Sequence, residues 1–179
     1  FYTNSAEGWQ WKTITIPNTV SYIGERAFDD CDKMKEITIP SKVTKLSNEL
    51  FVRCDLLEKI NLPEGITSIG NETFYGCSGL KSVTIGKSVT KIERNAFSDC
   101  TGELTVNCNI PSASATYCGA FYGSKFTSLT ISDNVTEIGN YAFNSCKSLE
   151  KATLLGVKHI GYGAFYGCKK LAFAEMPDV

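Results

Sequence analysis

Residues 14–31 read ITIPNTVSYIGERAFDDC, and the same order of residue types returns as INLPEGITSIGNETFYGC at 60–77 and LTISDNVTEIGNYAFNSC at 129–146. When the segments are aligned on their phenylalanine, that residue recurs along the chain at spacings of 23, 23, 23, 24, 22 and 22 residues. A fixed period of this length is typical of a solenoid in which each repeat forms one turn. The phenylalanines in this register are Phe28, Phe51, Phe74, Phe97, Phe121, Phe143 and Phe165.

Other apolar residues keep the same register. The position five residues before the phenylalanine holds Ile23, Leu46, Ile69, Ile92, Ile138 and Ile160, and the position eight residues before it holds Val20, Val43, Ile66, Val89, Val135 and Val157. One turn cannot bury its apolar side alone, so we expect successive turns to stack and close one continuous core. Burying each phenylalanine is worth roughly 1.5 to 3 kcal/mol, which predicts that the phenylalanine column dominates stability.

The first part of each repeat predicts a short strand. Apolar and polar residues alternate, with many β-branched residues, in TITIP at 13–17, EITIP at 36–40, KINLP at 59–63, SVTIG at 82–86 and SLTIS at 128–132. Proline at 17, 40 and 63 is expected to end its strand. The segment around each phenylalanine is too short for a full helix and suits a single helical or 3₁₀ turn. A recurring glycine at 24, 70, 139 and 161 is expected to reflect close packing, because Ser47 and Glu93 replace it elsewhere.

Written as L-x-x-I-x-I-P-x-x-V-x-x-I-G-x-x-A-F-x-x-C, the chain resembles the BspA-like, or Treponema pallidum-type, leucine-rich repeat family over nearly its whole length. The resemblance implies a right-handed superhelical repeat solenoid. One face would carry a parallel sheet of short strands, and the other short helical or 3₁₀ turns or extended segments. It also implies a cell-surface or secreted bacterial protein, since some relatives are adhesins for host matrix or cell-surface proteins. We expect one domain over 1–179, with about seven repeats of about 23 residues.

Two stretches depart from the repeat. At 101–125 the approach to the strand is shortened and the segment before Phe121 is enlarged, which predicts a bulging loop at 107–118. The repeat at 149–170 is one residue short, with LLGV in place of the proline turn. Both ends of the chain fall within a repeat, so we expect further repeats or other domains to flank it.

Six of the eight cysteines share one repeat position, three residues after the phenylalanine. They are Cys31, Cys54, Cys77, Cys100, Cys146 and Cys168, with Ser124 in their place once. Zinc sites need local pairs such as C-x-x-C, which do not occur, so no metal is expected. The column is expected to consist of reduced, buried thiols. Cys108 and Cys118 lie outside it, where a disulfide and two separately packed thiols are both open.

Composition and charge disfavour several functions. The net charge is -1 and basic residues are scattered, so a nucleic-acid partner is not expected. Apolar runs are too short to cross a bilayer, and FYTNSAEGWQW at the start has neither a basic region nor an apolar core, so this segment is not expected to insert into a membrane. His159 is the single histidine, with no nucleophile or orienting partner recognisable by spacing. The sequence therefore predicts no enzyme activity and no cofactor.

The outward position of each predicted strand carries a polar residue. A ladder of β-branched side chains can simply stabilise the sheet, because such residues pack well across strands. The functional interpretation is that the ladder forms the floor of a protein-binding face. Charged residues of both signs, including Glu36 and Lys59, flank the ladder. Few aromatic residues on this face argue against a strong patch for sugar stacking or for a protein hot spot. The ladder consists of Thr15, Thr38, Asn61, Thr84, Thr105, Thr130 and Thr153.

Two functions remain open from the sequence. The first is a non-enzymatic protein-binding module, an adhesin that uses the sheet face or the 107–118 bulge. The second is a structural spacer or stalk that presents another domain. A binding module should carry a clustered, non-repeating apolar or aromatic surface patch, and a spacer should not.

Overall fold

The computed structural model describes residues 12–112 and 119–175, with side chains as far as 172. This part of the chain forms thirteen strands and no helix. In chain order the strands are β1 (Thr13–Thr15), β2 (Glu36–Thr38), β3 (Lys45–Leu46), β4 (Lys59–Asn61), β5 (Ser68–Ile69), β6 (Ser82–Ile85), β7 (Lys91–Ile92), β8 (Thr101–Val106), β9 (Lys125–Ile131), β10 (Glu137–Ile138), β11 (Lys151–Leu154), β12 (His159–Ile160) and β13 (Phe173–Glu175). The predicted solenoid is confirmed.

The predicted strands lie side by side in parallel on what we call the long-strand face, formed by β1, β2, β4, β6, β8, β9, β11 and β13. Register follows the repeat, so that Ile14 lies opposite Ile37 and Ile37 opposite Ile60. The face is not one sheet, however. A three-stranded sheet has the order β1-β2-β4, and a five-stranded sheet has the order β6-β8-β9-β11-β13.

A second face consists of two-residue strands built around the apolar position five residues before the phenylalanine. Here β3, β5 and β7 pair in parallel, as do β10 and β12, and a bridge joins Ile110 to Ile138. Leu46, Ile69, Ile92 and Ile138 are buried, as predicted. Ile160 was also expected in the core but is 41% exposed, because no described strand pairs with the far side of β12.

The segments around the phenylalanines are turns. Asp29 N–H donates to the Arg26 carbonyl at 3.1 Å, and the next such bond, from Cys31 to Phe28, comes two residues later. Arg26 and Asp30, two residues before and after Phe28, have positive φ values of 56° and 55°, which end any right-handed helix. The intervening amides bond between repeats, as from Phe51 N–H to the Thr73 carbonyl at 2.8 Å. The predicted helical or 3₁₀ turn is therefore wrong for the described segments.

The seven phenylalanines form one file through the core. Successive ring centroids lie 4.8 to 5.4 Å apart and the rings are within 20° of parallel. The five inner rings are buried, whereas Phe28 and Phe165 are partly buried. The spacing follows the distance between parallel strands, about 4.8 Å, because each turn contributes one strand and one ring. The predicted phenylalanine spine is confirmed.

The irregular repeats are accommodated by close backbone packing. The segment that leads into the strand is shortened in the repeat at 101–125, so β8 starts directly after Cys100. The register between β8 and β9 shifts at Gly102/Glu103. The later repeat that lacks one residue brings Gly156 so close to its neighbour that a Cβ there would lie 2.5 Å from the Asp133 carbonyl carbon. Close packing also explains Gly70, whose Cβ would lie 2.7 Å from Asn48 N. Residues 113–118, in the predicted bulge, lie outside the described residues.

Candidate functional site

The predicted polar ladder lies on the solvent side of the long-strand face. Thr15 lies opposite Thr38 and Thr38 opposite Asn61, and on the other sheet Thr84, Thr105, Thr130 and Thr153 are opposite one another in turn. None of the seven is buried. The Asn61 amide donates to Thr38 Oγ1 at 3.1 Å, which continues the ladder through the one residue that is not threonine. The ladder is interrupted between Asn61 and Thr84, where the two sheets separate.

Charged side chains beside the ladder pair between adjacent repeats. Lys59 Nζ lies 2.8 Å from Glu36 Oε1, and its hydrogen bond holds the pKa of Glu36 below the usual value. Glu58 bridges Lys35, at 3.6 Å, and Lys81, and the hydrogen bond from Lys81 lowers the pKa of Glu58. Such exposed pairs contribute little stability. Because the paired side chains carry opposite charges, they largely neutralise one another.

The gap between β4 and β6, which we call the fork, is closed at one end and open at the other. At the beginning of the strands, Lys81 N–H donates to the Glu58 carbonyl at 3.1 Å. At the ends of the strands, Gly86 N–H does not donate to the Leu62 carbonyl. In the next repeat the equivalent bond is present, because Asn107 N–H donates to the Ile85 carbonyl at 3.0 Å. No strand ladder joins β4 to β6.

A depression of about 610 Å³ occupies the open end of the fork. Another, of about 400 Å³, lies on the same face between β1 and β2 and is lined in part by Thr15, Glu36 and Thr38. Of the predicted binding residues, the fork brings together Lys59, Asn61 and Thr84. Among its other lining residues, only Asn107 falls within a predicted binding segment, the bulge at 107–118. The lining also includes Glu64, Ser82, Gly86, Lys87, Asn107 and Asn134.

The match to known proteins agrees with this geometry. The BspA type leucine rich repeat region matches in six copies, over residues 4–117 and 114–179. This chain belongs to that family. Among curated proteins, none matches the chain. The family is one of repeat scaffolds that generally mediate protein–protein interaction, which is the coarse function that follows from membership.

Solved structures place this BspA-type chain among bacterial leucine-rich repeat proteins. A Bacteroides ovatus protein is 32% identical with a TM-score of 0.59, over 92% of this chain and 39% of that one. A leucine rich repeat protein of T. pallidum, 20% identical with a TM-score of 0.56 over 89% of this chain and 78% of that one, shows the shared fold alone. A Faecalibacterium prausnitzii leucine rich cell surface protein is 23% identical with a TM-score of 0.47, over 94% of this chain and 32% of that one. This chain spans about two fifths of the Bacteroides ovatus protein.

An exposed aromatic patch lies near the C-terminal end of the described BspA-type repeats. Tyr162 is 77% exposed and Tyr166 is 68% exposed, and both belong to the same turn. The Tyr141 ring meets Tyr162 edge to face, with centroids 5.5 Å apart. Aromatic residues are enriched where proteins bind one another. Tyr162 is the non-repeating member of this patch, whereas Tyr166 follows its phenylalanine as Tyr75 and Tyr122 do.

The BspA-type cysteine column has five buried thiols and the partly buried Cys168, and five of the six donate to the phenylalanine carbonyl of the preceding repeat. Cys54 bonds to Phe28 at 3.0 Å, and four more cysteines repeat the contact at 3.0 to 3.2 Å. The six column cysteines are free, as predicted, and Cys108 is free as well. Burial raises the pKa of the Cys108 thiol to about 11. The alternatives for a Cys108 bridge concern Cys118, which lies outside the described residues.

This column predicts selective thiol reactivity. Cys168 is only partly buried, and the hydrogen bond from Cys146 lowers its pKa, whereas burial raises the pKa of Cys77. Because the thiolate is the nucleophile, iodoacetamide at pH 8 is expected to label Cys168 first among the described cysteines. Peptide mass spectrometry measures the rates, and labelling in urea provides the control. Equal rates at Cys77 and Cys168 in the folded protein would contradict the assignment.

Proteins of this family are typically non-enzymatic repeat scaffolds. His159 is exposed on β12. No group of three or more histidine, cysteine or acidic side chains that could hold a metal occurs in residues 12–112 and 119–172. In the same part of the chain, no helix has the length and apolarity needed to cross a membrane.

Proposed function

We propose that this chain is a protein-binding module and that the long-strand face is its contact surface. The observation that carries the proposal is that both depressions, at β1–β2 and in the fork, open on the face that bears the polar ladder. Hydroxyl and amide groups contribute to the lining of both depressions, beside charged side chains. Such groups suit a protein surface, where about one hydrogen bond forms per 100 to 200 Å².

The finer proposal is an adhesin of a cell-surface or secreted bacterial protein, with host matrix or cell-surface proteins as partners. The family resemblance supports this placement, and the exposed Tyr162 and Tyr166 favour binding over the alternative of a spacer. The proposed contact residues are those of the ladder with Glu36 and Lys59. No cofactor is needed for this function, and catalysis is not proposed.

Thr105→Arg tests the contact surface. Thr105 lies between Thr84 and Thr130 in the five-stranded sheet, so a long charged side chain there would enter the centre of the interface. Charged residues are depleted at interface cores, and we expect binding to immobilised, purified matrix proteins to weaken by roughly tenfold or more, about 1.4 kcal/mol. Biolayer interferometry measures the dissociation constant.

The matched control is Thr90→Arg, an exposed threonine next to β7 on the opposite face. Binding unchanged by Thr105→Arg would remove the long-strand face as the contact surface. A deletion within 113–118 then tests the bulge, and binding lost only with that deletion would move the site there. A chain that binds no protein in either form supports the spacer.

A further inference from the structure

We propose that the fork binds an extended peptide segment of a protein partner through the main chain of that segment. This inference rests on the proposed function, because it names the part of the partner that the long-strand face recognises. The site is the open end of the fork, where the missing rungs of the sheet leave backbone groups facing a depression.

The unpaired backbone groups are the first argument. At the position of Gly86 in later repeats, Asn107, Ser132 and Leu155 each donate to the preceding repeat at 3.0 Å. Gly86 N–H has no such partner, and neither Leu62 N–H nor its carbonyl is hydrogen-bonded within the described chain. A strand-like peptide supplies the complementary donors and acceptors, as it does in β-augmentation.

Three carboxamides converge on the same depression. A carboxamide has the donor and acceptor of a peptide group, so it can bond to a main chain in either direction. Asn107 Oδ1 accepts from Ser132 Oγ and leaves Nδ2 without a partner in the described chain. Asn134 Nδ2 donates to the Asn107 carbonyl at 2.6 Å, and Asn134 Oδ1 has no partner within residues 12–112 and 119–172. Asn61 Oδ1 is likewise unpartnered, while its amide group is held by Thr38.

The fork also exposes apolar core residues. Ile60 and Leu62 are partly exposed, whereas their equivalents in the preceding repeat, Ile37 and Ile39, are buried. The open edge of β4 explains this, because no strand covers the far side of these residues. An extended peptide places alternate side chains on opposite faces, so one apolar side chain can cover Ile60 and Leu62 while the main chain bonds to the rim.

Charge at the rim favours a peptide main chain over an anionic ligand. Lys87 and Glu64 bring opposite charges to the lining, and Lys59 is already paired with Glu36. The lining contains no aromatic side chain on which a sugar ring could stack. A neutral ligand with alternating donors and acceptors fits these observations.

Gly86→Pro tests the inference with little change to the fold. Proline is the residue at the equivalent position of three repeats, at 17, 40 and 63, and Gly86 N–H makes no hydrogen bond that proline would break. The probe is an array of acetylated, amidated hexapeptides with alternating apolar and polar residues. Peptides that bind the unaltered chain are resynthesised, and their affinities are measured by fluorescence anisotropy.

We expect Gly86→Pro to weaken peptide binding by about threefold to tenfold, the value of one hydrogen bond. Thr90→Arg, on the second face next to β7, lies outside the fork and is expected to bind as the unaltered chain does. N-methylation of the peptide at alternate residues should reduce binding by a similar factor, and this measurement leaves the protein unchanged. Asn134→Ala is expected to weaken binding as well.

An absence of peptide binding, or affinities unaltered by both Gly86→Pro and N-methylation, would overturn the inference. Binding of a glycan array in place of peptides would also overturn it. The proposed function has its own test. If Thr105→Arg abolishes binding to the matrix proteins but Gly86→Pro leaves it intact, the long-strand face remains the contact surface and the fork is excluded as the binding site.

Discussion

Phe74→Ala is expected to lower the free energy of unfolding by about 3 to 5 kcal/mol, the usual loss when a buried phenylalanine is truncated in a packed core. The Phe74 ring is fully buried between Phe51, at 5.4 Å, and Phe97, at 5.1 Å. Truncation removes both stacking contacts and leaves a cavity in the file. Each aromatic pair adds about 0.5 to 1.5 kcal/mol beyond the area that it buries.

Urea unfolding followed by circular dichroism measures the loss. Phe74→Leu retains much of the apolar volume and is expected to cost less than the alanine variant, because only the stacking is lost. The adjacent Tyr75 is exposed, so Tyr75→Ala is the matched surface control. A Phe74→Ala variant no less stable than Tyr75→Ala would show that the file of rings is not the main source of stability.

The shape of the unfolding curve provides a second readout. Turns in a solenoid contact only their neighbours, so stability is a sum of repeat and interface energies. Phe74 lies in the middle of the file, and its loss weakens the interfaces on both sides. We therefore expect a broader transition for Phe74→Ala than for Phe28→Ala, since Phe28 is only partly buried at one end of the described file.

The buried half of the fold could be predicted from the sequence because a stacked solenoid turns repeat spacing into register. Ile37 and Ile60 are 23 residues apart and lie directly opposite one another. The same offset fixes the phenylalanine file and the cysteine column. A side chain that contacts its own equivalent in the next turn is restricted in size and polarity, and the pattern therefore stays visible.

The conformation of the phenylalanine turns could not be predicted in this way. Arg26, Glu49 and Asp99 are among the residues with a left-handed backbone conformation, that is, a positive φ. Glycine is the residue that usually indicates such a conformation in a sequence, and it is absent at these three positions. Hydrogen bonds to the neighbouring turn hold two of these residues: Arg26 N–H donates to the Asn48 carbonyl at 3.4 Å, and Glu49 N–H donates to the Asn71 carbonyl at 2.8 Å. Tertiary contacts therefore determine the conformation of the turn, whereas the local sequence alone favours a helical turn.

The candidate site was predicted only in part. The ladder lies where the alternation placed it, but its binding role stays a prediction. Asn107 was predicted only as the first residue of the bulge, and Asn134 was missed because its position after the strand holds no constant residue type. A signal for the fork was nevertheless present: the strand-ending proline of three repeats gives way to Gly86. That change marks the boundary between the two sheets.

Gly102→Ala is the second substitution with a large expected effect. Gly102 has a φ of 90° at the register shift of β8, and a Cβ there would lie 2.5 Å from the Leu80 carbonyl oxygen and closer still to that of Lys81. A non-glycine residue in a sparsely populated backbone region costs about 1 to 3 kcal/mol. Overpacking against a backbone that cannot move adds typically about 1 to 3 kcal/mol more.

Gly86→Ala is the matched control for this variant, since Gly86 has no positive φ and no atom within 4 Å of the added Cβ. Urea unfolding should therefore separate the two alanine variants by several kcal/mol although each adds a single methyl group. Hydrogen exchange is expected to rise at Glu103, whose N–H donates to the Lys81 carbonyl at 3.0 Å beside the clash. Equal stability of the two variants would mean that the shortened repeat can shift its register without cost, and that the packing of β8 on β6 does not depend on glycine at position 102.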